Sequence, residues 1–136
     1  MSETVFDKIL RGDIPCAKIH EDDVLFSFMD AFPQAKGHAL IVPKRKCTSL
    51  FDIDEASLLA VAAFSRKLAE AQRLVLQADG IRICQFNGAA AGQTVFYYHM
   101  HVIPQWQGQA LAEHGGGMAD MNALRTLAAQ LAEALP

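Results

Sequence analysis

Cysteine is scarce in this 136-residue chain: there are 3, Cys16, Cys47 and Cys84, widely spaced and with no C-x-x-C pair. An odd count in that arrangement argues against a disulfide framework and against a zinc knuckle. The three thiols read as reduced, small apolar side chains. Proline and glycine are also few, 5 and 9, which excludes collagen-like and low-complexity chains. Positive charge is not in excess: 12 Lys and Arg stand against 15 Asp and Glu, for a formal charge of −3. That leaves no basic footprint for a nucleic-acid polymer, although a small phosphorylated ligand needs only a few donors. No apolar run reaches the ~18–20 residues of a membrane span. The opening Met-Ser-Glu-Thr-Val-Phe-Asp-Lys lacks a basic stretch followed by an apolar one, so no signal peptide is read and a cytoplasmic protein is expected. What the chain does have is 51% hydrophobic and 20% charged residues, enough for one ordinary core, and residues 1–136 are expected to form one domain.

No internal repeat or linker interrupts the chain, and the Gly115-Gly116-Gly117 run is too short to separate domains. Thr4 to Leu10 reads as a short helix stopped by Gly12, with Val5, Phe6 and Ile9 on one side. Lys18 to His20, Val24 to Met29, His38 to Val42, and Ile81 to Phe86 read as strands. A long helix is expected from Glu55 to Gln77, with Asp52 as its cap and an apolar stripe of Leu58, Val61, Phe64, Leu68, Ala71 and Val75. Asn87 to Gly92 is a tight loop, Thr94 to Ile103 the longest strand, and Asp120 to Ala134 a final helix. Strands joined by short loops, with helices in blocks, predict an α+β fold: about five antiparallel strands, one long central helix, a short N-terminal helix and a C-terminal helix.

The stretch Thr94-Val-Phe-Tyr-Tyr-His-Met-His-Val-Ile-Pro104 is the most informative. Side chains alternate along a strand, so Val95, Tyr97, His99, His101 and Ile103 share one face. The two imidazoles then lie about 6.5–7 Å apart along the strand. Buried histidines need polar partners. Three readings stay open at this point: satisfied structural histidines, half of a metal site, or a nucleophile with its helper. Asn87-Gly-Ala-Ala-Ala-Gly-Gln-Thr94 looks faintly like a phosphate-binding loop, but Gln93 stands where the lysine belongs and a strand follows where a helix should.

Gly92-Gln-Thr-Val-Phe-Tyr-Tyr-His-Met-His-Val-Ile-Pro104 resembles the His-φ-His-φ-His-φ-φ signature (φ apolar) of the histidine triad, or HIT, family of nucleotide hydrolases and transferases. Three further stretches are similar to that family in the same order. They are Phe6-Asp-Lys-Ile-Leu-Arg-Gly-Asp-Ile-Pro15, Phe28-Met-Asp30 with Pro33 through Lys44, and Ala78-Asp-Gly80 through Asn87-Gly88. The resemblance covers roughly residues 4–107.

The resemblance implies roles position by position. His99 would be the nucleophile. His101 would bind phosphate oxygens, and His38 would sit beside the pair and support the phosphate site. Asp30 would accept hydrogen bonds from ribose hydroxyls. Asn87, Gln93 and Thr94 would line the phosphate and leaving-group side, with Gln93 among the catalytic groups. Val5, Phe6, Ile9 and Phe28 would bracket the base. The first triad position is Tyr97, whose backbone carbonyl would still hold the nucleophile's N–H. Many bacterial relatives of this kind bind structural zinc through two cysteines and two histidines; the matching positions here are Thr4, Asp7, Lys46 and Tyr97, so all four ligands are missing together and no structural zinc or other metal is expected. The family also implies a homodimer and no cofactor.

Elementary chemistry agrees with those roles. Neutral imidazole is a good nucleophile toward phosphorus near pH 7, because its ordinary pKa is about 6.5. A nucleotidyl-histidine intermediate would split one hard displacement into two easier ones. The expected function is hydrolysis at the α-phosphate of a purine nucleoside phosphoramidate or dinucleoside polyphosphate. The alternative is a nucleotide-binding module with little or no turnover, acting through partner proteins. Among the remaining residues, His20 is expected to be solvated, His114 exposed, and Lys44, Arg45 and Lys46 a solvated basic turn. Trp106 is read as packing at the domain edge or as a base or partner contact.

Overall fold

The computed structural model describes residues 2–112 and 117–136; His114 and most of the glycine run lie outside them. A short helix α1 (Val5–Arg11) precedes the strands β1 (Lys18–Glu21), β2 (Leu25–Met29) and β3 (Ala39–Pro43). The long helix α2 (Glu55–Leu76) follows, then β4 (Gly80–Cys84), a single 3-10 turn (Ala89–Ala91), β5 (Met100–Gln105) and α3 (Met121–Ala134). The five strands form one antiparallel sheet in the order β1-β2-β3-β5-β4. The fold is therefore α+β, as the chain's pattern predicts.

Both faces of the sheet centre are covered, which is why β2 and β3 are buried at every position. On one face Leu25, Met29, Ile41 and Val102 pack against Val61, Phe64 and Leu68 of α2 and Leu124, Leu127 and Leu131 of α3. On the other, Phe26, Phe28, Leu40 and Val42 meet Phe6 of α1 and Tyr97. His101, paired with Leu40 across the sheet, lies on that second face.

Several boundaries differ from expectation, β4 ending at Cys84 rather than Phe86 among them, and two of the differences have a plain local reason. Asp54, not Asp52, caps α2, its carboxylate accepting from the Ser57 N–H at 3.1 Å. Asp52 is held instead by the N–H groups of Thr48 and Ser49, at 2.9 and 2.7 Å. The strand expected from Thr94 begins only at Met100. Upstream of it β4 has already ended at Cys84, so residues 94–99 find no neighbouring strand. They are held by the loop after β3: the Tyr98 N–H donates to the Cys47 carbonyl (2.9 Å) and the Tyr97 hydroxyl to that of Pro43 (2.6 Å). The alternation of sides survives without the ladder, with Tyr98 in the helix-side core and Tyr97 in the opposite one.

Gly37, just before His38, has φ +86°, and a β-carbon there would collide with the Leu76 side chain at the end of α2. That close approach brings the helix onto the strand that carries His38.

Candidate active site

His38, His99 and His101 are all buried, and they lie on two adjacent strands or their extension. The rings of His99 and His101 are 5.0 Å apart, centre to centre, and those of His38 and His101 are 5.1 Å apart.

The hydrogen bonds set which nitrogen carries which proton. A backbone N–H can only donate, so the Gln34 N–H, 3.0 Å from His38 Nδ1, makes that nitrogen an acceptor. The His38 proton is then on Nε2. It lies 2.9 Å from His101 Nδ1 and 3.4 Å from an Asp30 carboxylate oxygen, so the stronger bond goes to His101. His101 Nδ1 accepts, and its own proton is on Nε2. For His99 the fixed partner is an acceptor: the Tyr97 carbonyl lies 2.6 Å from Nδ1. Nδ1 therefore donates, and in the neutral ring the lone pair is on Nε2. One imidazole offers a lone pair while its neighbour offers a proton. That is the pairing needed to attack phosphorus and to meet the charge on its oxygens.

Beside the histidines is an apolar cavity of about 380 Å³, lined by Val5, Phe6, Ile9, Phe28, Asp30 and Leu40 among others. The imidazoles are not part of its wall. Phe6 and Asp30 join the two regions: the Phe6 ring is 4.9 Å from that of His99, and Asp30 adjoins His38. The Phe6 and Phe28 rings meet edge to face at 5.6 Å. Asp30 is itself oriented by the Phe32 N–H at 2.8 Å.

The remaining expected site residues have other duties in this structure. The Gln93 amide is buried and bonded at both ends: its oxygen accepts from the Gly88 N–H (2.8 Å), and its nitrogen donates to Thr48 O (2.7 Å) and Val95 O (3.1 Å). It folds the loop. Asn87 pairs with Gln85 and accepts from the Leu50 N–H at 2.7 Å. Thr94 is exposed and borders a separate surface depression with Ser2, Thr4 and Phe96. His20 is not simply solvated; it stacks on Phe64 at 4.7 Å and bonds Asp22 at 2.7 Å. Trp106 packs at the end of α2, donating to Leu76 O and Gln77 O.

One residue near the site went unremarked in the sequence. Gln72 of α2 is fully buried, and its amide nitrogen donates to Gly37 O (3.0 Å) and Val102 O (2.9 Å). Those carbonyls adjoin His38 and His101 in the chain. The signal was available: position 72 is one helical turn after Leu68, on the apolar stripe, where a glutamine needs a reason.

Three of the four positions that the resemblance matched to zinc ligands, Thr4, Asp7 and Lys46, come together around an ion pair. Lys46 Nζ donates to an Asp7 carboxylate oxygen (2.9 Å) and to Ser2 O (2.8 Å), while Thr4 and Asp7 cap α1 reciprocally. Lys46 is thus a latch on α1, whereas Lys44 pairs with Glu21 of β1 at 2.8 Å and Arg45 is exposed. Zinc does not fit this set, because an ammonium already occupies the carboxylate and the Tyr97 phenol, raised by burial, donates to Pro43 O. Asp30, His38 and His101 form the only group of potential metal-binding atoms found among the described residues. Their hydrogen-bond chain accounts for their closeness without a metal.

Burial pushes the Asp7 carboxyl up, but the bonds from Thr4 and Lys46 outweigh it and hold its pKa below the usual value of 3.8. A folded pKa below the unfolded one gives stability that is complete above about pH 4 and fades as pH falls through the folded value. Lys46→Met is expected to lower stability by about 1 kcal/mol at pH 7. That difference should shrink below pH 3, as followed by denaturant unfolding at both pH values.

A five-stranded antiparallel sheet with a hydrogen-bonded pair of buried histidines beside an apolar cavity defines the α+β architecture of this chain. The chain belongs to the HIT family: residues 11–108 match the HIT domain. A Hit-like protein from Bartonella henselae, described as involved in cell-cycle regulation, superposes with a TM-score of 0.89 at 38% identity, covering 97% of this chain and 96% of that one. Adenosine 5'-monophosphoramidase hnt1 of Schizosaccharomyces pombe is 33% identical over 74% of this chain and 73% of its own length. Adenylylsulfatase HINT3 of Arabidopsis thaliana is 35% identical over 83% of this chain and 60% of its own. Among the described residues, no helix is long and apolar enough to cross a membrane.

Proposed function

We propose that the chain is a nucleotide hydrolase or transferase acting at the α-phosphate of a purine nucleoside phosphoramidate or dinucleoside polyphosphate. The observation that carries this reading is the 2.6 Å bond from His99 Nδ1 to the Tyr97 carbonyl, which puts the ring's lone pair on Nε2. Tyr97 stands at the first triad position, and a carbonyl is available there whatever the side chain. The names of the phosphoramidase and adenylylsulfatase relatives support the same chemistry.

In this reading the base enters the Phe6–Phe28 cavity and Asp30 meets the ribose at its inner end. His99 Nε2 bonds to phosphorus as the bond from phosphorus to the leaving nitrogen or oxygen breaks, and the leaving group departs with a proton taken from solvent. His101 Nε2–H donates to a phosphate oxygen, kept in that tautomer by His38. Water then attacks phosphorus and releases a proton to solvent, the P–Nε2 bond breaks, and its electron pair returns to the imidazole. The products are the nucleoside monophosphate and the free leaving group. Mass spectrometry of protein acid-quenched during turnover of an AMP phosphoramidate should find the nucleotidyl adduct on the peptide holding His99. Turnover without that adduct, or an adduct elsewhere, overturns the assignment.

The homodimer belongs to the same proposal. Strand β4 is a sheet edge whose outer backbone groups lack a neighbouring strand, and Ile83 on it is 49% exposed. A second copy pairing there would cover both. Sedimentation at micromolar concentration should give twice the chain's 14.8 kDa mass, and Ile83→Asp should halve it.

A further inference from the structure

The two active imidazoles lie between aromatic rings on both sides. Toward β2 and α1 stand Phe6 and Phe28, already assigned to the base. Toward β4 stands Phe86. Its ring meets that of His101 at 5.9 Å with an interplanar angle of 61°, an edge contact. It follows Cys84, the residue paired with His101 across the sheet, by two positions. Gly92 closes the ring in from the loop side: a β-carbon there would come within 3.6 Å of Phe86 Cδ1. Phe86 nevertheless stays 38% exposed, a large apolar surface at the edge of a polar site.

We propose that Phe86 is a specificity-determining residue that stacks an aromatic ring carried by the leaving group. The proposal rests on His99 being the nucleophile. The group expelled from phosphorus departs on the far side of phosphorus from the incoming Nε2, away from the His99 ring. With the base on the Phe6 side, the wall left for it is the one on the β4 side. An aromatic ring offered there gains a face-to-face or edge contact of the kind that already joins Phe86 to His101. The ring could belong to an aryl-bearing amine or to the second base of a dinucleotide; both present the same flat, polarisable face.

The test compares kcat/KM for two AMP phosphoramidates, one of indolylethylamine and one of hexylamine, in wild type, Phe86→Leu and Phe86→Tyr. Leucine keeps the bulk and loses the ring. The wild-type preference for the indole compound should fall about tenfold in Phe86→Leu and persist in Phe86→Tyr. Diadenosine tetraphosphate against adenosine tetraphosphate, in the same variants, tells the dinucleotide from the amine: the source is whichever pair loses its preference. A preference in both pairs that stays within twofold of wild type in Phe86→Leu overturns the proposal. The same compounds titrated into His99→Ala by calorimetry, with and without Phe86→Leu, read the wall without turnover. A binding preference that depends on Phe86 upholds it even where no His99 adduct forms, in which case the nucleophile assignment alone has failed.

Discussion

Turnover of AMP phosphoramidate by His99→Ala is expected to fall at least about a thousandfold, while nucleotide affinity stays within about threefold of wild type. The loss is large because the alanine variant has no lone pair to form the covalent bond, and water must do the whole displacement alone. Binding survives because the cavity is walled by Phe6, Ile9, Phe28 and Asp30, and the His99 ring is not in it. Phe6 loses only one of its three ring neighbours, since Phe28 and Tyr97 remain at 5.6 and 6.2 Å. Rapid-quench kinetics with calorimetry separates the two quantities. A pure binding module would show no turnover in either protein, and that result would replace the enzymatic reading with the alternative.

Gln72→Leu is expected to cost about 2 kcal/mol and to lower Tm by roughly 8 °C. Two buried carbonyls, those of Gly37 and Val102, lose the donor that now serves both. Part of that cost is offset, because the Gln72 amide oxygen is itself buried with no partner found and its removal relieves a penalty. Leucine fills the volume without opening a cavity. The larger consequence is positional. The two carbonyls flank His38 and His101, whose contact at 2.9 Å depends on the spacing of their strands. Catalysis should therefore fall in kcat more than in KM, by about tenfold, and a thermal melt alongside steady-state kinetics checks both parts. A stability loss with unchanged kcat would reduce Gln72 to an ordinary core residue.

The fold was legible wherever period and punctuation agreed. The α2 stripe, the Gly12 stop and the alternation through Tyr97, Tyr98 and His99 all follow from side chains that sort themselves by polarity. What the chain did not disclose was partnership over long separations. Nothing local told that residues 94–99 would lie beyond the end of β4 and be held by the loop around Cys47 instead. Nor did spacing distinguish Asp52 from Asp54 as the cap, since both have suitable side chains and only the turn at Thr48 and Ser49 draws one away. The triad stretch was conspicuous because two buried-pattern histidines are costly without partners. The identity of those partners was mostly not local: Gln34 lies only four positions from His38, but His101 reaches it across 63 and Lys46 reaches Asp7 across 39. Gln93 shows the converse. Its place in a recognisable motif suggests contact with phosphate, whereas its amide is spent on bracing the turn that precedes the strand.

The chain of protons that begins at Gln34 has its first link in the main chain, not in a side chain. Ordinary replacements at that position keep the peptide hydrogen, so selection can vary residue 34 widely without disturbing the tautomer two rings away. Only an imino acid erases the link, and Pro33 sits immediately before it: a one-residue slip of that ring would unset the whole relay.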